Sequence, residues 1–88
     1  MYSYTISKEA DIHVFRKMCN LLENELKGIE KKRIVEDIDG SIIQHYCVND
    51  SEIRVYNDCD VDAVFVDSQI NLDSVIKNPI LSYQNPEE

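Results

Sequence analysis

The apolar residues of this chain change their spacing once, and that change limits the folds open to it. From Ile12 to Leu26 they recur at steps of three and four, the period of an amphipathic α-helix with one buried face. Beyond Gly28 the apolar runs become short and rich in β-branched residues, with turn residues between them. The sequence therefore predicts one substantial helix followed by a series of strands.

The order of these segments predicts an α+β fold. A short strand over residues 2–6 comes first, and Ser7 is the expected N-cap of a helix over residues 8–27. Four β runs and a short helix capped by Asn71 follow, which gives the order β-α-β-β-β-β-α. We expect an antiparallel β-meander of four to five strands with one long N-terminal helix packed on one face. Residues 1–78 are the predicted single domain, and residues 79–88 form an extended C-terminal arm.

The dipeptide Asp39-Gly40 predicts the register of the first hairpin. Read as a two-residue type I′ loop, it pairs Ile38 with Ser41 and places Ile34 and Ile43 on one face. The residues predicted to face the helix are Ile34, Ile38, Ile43, Ile53, Val55, Val64 and Val66. The residues predicted on the opposite face are Asp37, Gln44, Tyr46, Glu52, Arg54, Tyr56, Phe65 and Asp67.

Negative charge is concentrated in the β half of the chain. Ten acids lie between Ile34 and Ile76 against the single base Arg54, and the whole chain has a formal net charge of −8. The electrostatic field of this negative charge repels nucleic acid and anionic membranes and attracts a basic surface. We therefore expect a basic protein partner, with no nucleic acid and no membrane bound.

The sequence also contains residues that suggest metal binding or catalysis. Asp58, Asp60 and Asp62 open like a calcium loop, but Ala63 stands where that motif requires Gly and Gln69 where it requires Glu. His45 and Cys47 share a strand face without an orienting acid, and a zinc site needs three or four converging ligands. These patterns predict a protein without enzymatic activity, without a metal site and without a cofactor.

The first residues and the cysteines indicate in which cellular compartment we expect the protein. The first residues lack the basic and apolar regions of a signal peptide, and the three cysteines are widely spaced and odd in number. Both features favour reduced thiols and a cytoplasmic protein.

The acidic residues and aromatic rings together suggest a binding surface. Aromatic side chains are enriched at the centres of interfaces, and complementary charge speeds the encounter. The predicted partner-binding residues are Asp37, Tyr46, Glu52, Tyr56, Asp58, Asp60, Asp62, Phe65 and Asp67.

In its size, its acidic stretch from Glu36 to Asp73, its cysteines and its helix over a sheet, the chain resembles the small acidic immunity proteins of bacterial toxin systems, of the contact-dependent inhibition and colicin types. The resemblance implies a non-enzymatic protein that binds a basic toxin domain, often a nuclease, and blocks its active site or substrate cleft. Two alternatives stay open: a phage-type nucleic-acid mimic such as an anti-CRISPR, and a structural or adaptor module that self-associates. We expect the free protein to be a monomer or a weak dimer.

Overall fold

The protein is an antiparallel sheet with one helix on one face. The computed structural model describes residues 1–76, so the predicted arm over 79–88 lies outside the described residues. The elements are β1 (Tyr2–Ser7), α1 (Ile12–Glu25), β2 (Glu30–Glu36), β3 (Ile42–Val48), β4 (Ser51–Asp58) and β5 (Ala63–Ser68). All neighbouring strands are antiparallel in the order β1-β5-β4-β3-β2, so β1 lies outside β5. The predicted α+β class and antiparallel sheet are confirmed.

The helix is shorter than its apolar period suggests. It spans 14 residues, and its N-cap is Asp11, whose carboxylate accepts hydrogen bonds from the backbone N–H groups of His13 and Val14 at 2.8 and 3.3 Å. The predictions of a long helix and of Ser7 as its cap are wrong, because Ser7 still pairs with Val64 in the sheet. Within residues 1–76 no helix has the length and hydropathy to cross a membrane.

The core lies between α1 and the face of the sheet that it covers. Phe15, Met18, Cys19 and Leu22 supply the buried face of the helix, as their spacing predicts. Alternate strand residues meet them, since successive side chains of a strand point to opposite faces. The buried strand residues on this side are Ile6, Gln44, Tyr46, Val48, Ile53, Val55, Asn57, Val64, Val66 and Ser68.

The hairpin between β2 and β3 has a three-residue loop rather than the predicted two-residue loop. The Asp37 N–H donates to the Ser41 carbonyl at 2.8 Å, and Gly40 takes a φ of +93° that a side chain would disfavour. As a result Ile34 pairs with Gln44 and Val35 with Ile43. A one-residue change of register moves every side chain of a strand to the other face, so the predicted faces of Ile43, Gln44 and Tyr46 are wrong.

The end of the described chain forms a single turn instead of the predicted second helix. The Ile76 N–H donates to the Leu72 carbonyl at 2.7 Å, and no helix is formed in residues 69–76. The Tyr4 hydroxyl accepts from the Leu72 N–H at 2.7 Å and donates to Asp73 at 3.0 Å. This turn is therefore tied to β1, with Leu72 and Ile76 in the core.

Candidate functional site

A row of apolar side chains crosses the sheet on the face opposite α1, which we call the open face. Strand register alone defines this row: Val35 pairs with Ile43, Ile43 with Tyr56, Tyr56 with Phe65, and Phe65 with Thr5. Directly opposed residues share a face, so the row runs through all five strands. Its members are half-buried or exposed. We call it the apolar row.

Two aromatic rings form the centre of the apolar row. The rings of Tyr56 and Phe65 are stacked with centroids 4.4 Å apart and planes inclined by 12°. The Arg54 guanidinium carbon lies 6.0 Å from the Tyr56 ring centroid. Burial is the main cause that raises the pKa of the Tyr56 hydroxyl above its ordinary value, so the phenol is neutral at neutral pH. The pair is thus a rigid apolar surface with a polar hydroxyl that a partner can use.

Carboxylates line one side of the apolar row. A depression of about 570 Å³ lies between the loop joining β2 to β3 and the turn after β4, with Val35, Ile43 and Tyr56 forming its apolar wall. The loop and the turn touch, since the Cys59 N–H donates to the Ser41 hydroxyl at 2.8 Å. We call the acids of this depression the acidic rim; they are Glu36, Asp37, Asp39, Asp58 and Asp60.

Some acidic side chains in this part of the chain also accept hydrogen bonds from backbone N–H groups. Asp58 accepts from the N–H groups of Asp60 and Val61 at 2.9 and 3.1 Å, and Asp62 accepts from the Ala10 N–H at 2.8 Å. The Ser41 N–H beside Asp39 lowers the pKa of that carboxyl. By contrast, the Glu36 and Asp60 carboxylates have no hydrogen bond or ion pair with any described residue. These two are therefore free to contact a partner.

The other side of the apolar row mixes both signs of charge. His45 pairs with Arg54, Arg54 with Asp67, and the Ser3 hydroxyl donates to the Asp67 carboxylate at 2.8 Å. Glu52 lies 3.4 Å from His45. Further out, Lys32 and Arg33 line a second depression of about 460 Å³. The open face is thus polarised, with unbalanced negative charge on the side of the acidic rim.

Seven of the nine predicted partner-binding residues lie on the open face or in the acidic rim, and two do not. Tyr46 is only 1% exposed and lies under α1, where its hydroxyl donates to Glu23 at 2.5 Å. Its predicted role as an interface anchor is incompatible with that burial. Asp62 lies outside the acidic rim, and its carboxylate accepts a hydrogen bond from the Ala10 N–H just before α1. The remaining members are Asp37, Glu52, Tyr56, Asp58, Asp60, Phe65 and Asp67.

Sequence reasoning missed part of this surface. Val35 and Ile43 belong to the apolar row, and Glu36 and Asp39 belong to the acidic rim. Ile43 was predicted to face α1 because the hairpin loop was read one residue too short, and Val35 was not among the predicted partner-binding residues. A type I turn with Gly in the left-handed conformation at the third loop position was the alternative signal. It would have placed Ile43 on the open face.

The metal-ligand patterns of the sequence do not converge within residues 1–76. That part of the chain contains no group of three or more His, Cys, Asp or Glu side chains placed to hold a metal ion. Asp58 and Asp62 instead bind backbone N–H groups, as described above.

Comparison of the chain with protein-family models, with curated proteins and with solved structures finds no significant match. Any statement about function therefore rests on the geometry of the open face.

Proposed function

We propose that this protein is a non-enzymatic binding protein that docks a basic protein on its open face, and that it acts as an immunity protein blocking a toxin domain. The proposal depends on one observation, which is that two features lie next to each other on one face of the sheet. The apolar row, centred on the Tyr56–Phe65 stack, runs directly beside the acidic rim. Interfaces combine an aromatic centre with a charged periphery in this way.

The two features have different physical roles in the proposed complex. The acidic rim attracts a basic surface over distances of about a Debye length, roughly 8 Å at physiological salt, and so speeds the encounter. The Tyr56 and Phe65 rings then lose their remaining contact with water and slow dissociation. A nuclease active site or substrate cleft is basic because it binds phosphates, which makes it a suitable partner for this surface.

The proposal is tested with the product of the gene immediately upstream, because toxin and immunity genes are expected to be adjacent. The C-terminal region of that product is expressed in bacterial cells alone and together with this protein. We expect the C-terminal region to arrest growth when it is expressed alone. Co-expression of the wild-type chain should restore growth. The double variant Tyr56→Ala/Phe65→Ala should not restore it.

The control variant is Glu25→Lys, which reverses an exposed charge on α1, away from the open face. It should protect the cells as well as the wild type does. Circular dichroism of each purified variant shows that it is folded. An upstream metabolic enzyme, or growth arrest that this protein does not relieve, would contradict the immunity function.

A further inference from the structure

The strand β2 is an open edge of the sheet with an unusual exposure. All seven of its residues are exposed, because α1 packs over the strands further inside the sheet. Ile34 and Val35 expose 51% and 41% of their surface, and Ile38 in the adjoining loop is fully exposed. An edge strand presents unpaired N–H and C=O groups to any strand that approaches it. No other part of residues 1–76 covers this edge.

The charges along this edge are complementary to themselves when the strand is reversed. Residues 31–33 are the basic run Lys31-Lys32-Arg33, Ile34 and Val35 are apolar, and Glu36-Asp37 is acidic. In an antiparallel pair of two such strands, with Ile34 near the centre, the acidic end of each copy lies beside the basic run of the other. Opposite charges at neighbouring cross-strand positions are favourable.

We propose that two copies of this chain pair antiparallel through β2 and form one continuous sheet across a two-fold axis. A homodimer with a two-fold axis uses the same surface on both copies, which this self-complementary strand satisfies. The axis is perpendicular to the sheet, so both helices lie on one side and both open faces on the other. Tyr56, Phe65 and Asp60 thus stay accessible in the dimer, whereas Glu36 and Asp37 of the acidic rim lie at the dimer seam.

Other observations indicate which edge of the sheet pairs and how strong the pairing is. The opposite edge, β1, contains no charged residue and so offers no charge pattern to set a register. On β2, Lys31 and Lys32 already contact Glu23 and Glu30 at 3.5 and 2.9 Å, but these pairs are exposed and weak. The bulge between Lys31 and Ile34 shortens the regular ladder, and the net charge of −8 opposes association. We therefore expect a dimer with a dissociation constant of about 10–100 µM.

The test is a charge-swap series followed by sedimentation velocity from about 1 to 500 µM protein. One variant is Lys31→Glu/Lys32→Glu, and the other is Glu36→Lys/Asp37→Lys. Each places like charges opposite each other in its own homodimer, so each should remain monomeric throughout the range. An equimolar mixture restores opposite charges at both ends of the strand and should dimerise at least as strongly as the wild type.

The second variant separates strand pairing from a general effect of net charge. Glu36→Lys/Asp37→Lys halves the net charge of −8, so simple repulsion between acidic molecules predicts stronger self-association than in the wild type. Strand pairing predicts the loss of self-association. A wild-type chain that is monomeric at about 500 µM, or a mixture that dimerises no better than its components, would overturn the proposal.

Discussion

At the scale of single residues, Tyr46 shows that the role of a residue depends on its burial and not on its type alone. An aromatic residue predicted on the same sheet face as several acids is typical of an interface anchor, whereas this ring lies under α1 with its hydroxyl bonded to Glu23. Burial, together with that hydrogen bond, raises the pKa of Tyr46 far above its ordinary value, and burial raises the pKa of the neighbouring Cys19 thiol. Neither effect is visible in the sequence, because both depend on which strand face meets the helix.

The raised pKa of Tyr46 predicts a pH dependence of stability. The folded protein keeps the phenol proton at a pH at which the unfolded chain releases it, so this group's contribution is complete below about pH 10 and is lost as the pH rises above it. Tyr46→Phe should cost about 1 kcal/mol at pH 7 through the lost hydrogen bond and should flatten the alkaline decline. Urea unfolding at pH 7 and at pH 10.5–11 measures both effects, with the exposed Tyr2→Phe as the control. An alkaline decline equal to that of the wild type would contradict this account.

At the scale of elements, strand positions were readable from the sequence and strand register was not. Alternating apolar residues place β4 and β5 correctly, with Ile53, Val55 and Val64 facing α1. The register of β3 depends on one residue of loop length, which the dipeptide Asp39-Gly40 does not determine. The type I′ conformation occurs instead at Asn49 and Asp50, with φ values of 49° and 66° between β3 and β4. The sequence predicted a turn there without its type.

The turn between β3 and β4 offers a stabilising substitution. Asp50 adopts a positive φ that glycine takes without strain, and Asn-Gly is the preferred pair for a type I′ turn. Asp50→Gly should raise the free energy of unfolding by about 0.5–1 kcal/mol, which thermal or urea unfolding measures.

Asp60→Gly is the matched control, because Asp60 also lies in a turn but does not itself have a positive φ. It should destabilise the protein slightly by adding freedom to the unfolded chain. Equal effects of the two substitutions would mean that the left-handed conformation of Asp50 carries no strain.

At the scale of the whole molecule, one sheet separates three surfaces with different properties. One face holds the core under α1, the open face joins the apolar row to the acidic rim, and the β2 edge has self-complementary charge. The acidity of the surface and the placement of Tyr56 and Phe65 on the face opposite α1 were predictable, because bulk charge and strand alternation are local properties of the sequence. The continuity of the apolar row was not, since it needs the register of all five strands at once.

The structure also shows which acidic residues can be substituted to test the role of charge in binding. Reversing Asp58, Asp60 and Asp62 together would remove two carboxylates that hold backbone N–H groups, so a loss of binding would be mixed with local unfolding. Asp60→Lys alone changes a carboxylate without a partner in the described residues. It is the cleaner probe of attraction at the acidic rim.

The most direct test of the central claim is the binding kinetics of the upstream-encoded basic domain with single variants of the open face. Asp60→Lys should lower the association rate constant about threefold at low salt, with a smaller effect at about 0.3 M salt. Tyr56→Ala should leave association nearly unchanged and raise the dissociation rate constant about tenfold or more, while Glu25→Lys matches the wild type. If Asp60→Lys and Tyr56→Ala bind with the rate constants of Glu25→Lys, the open face is not the docking surface.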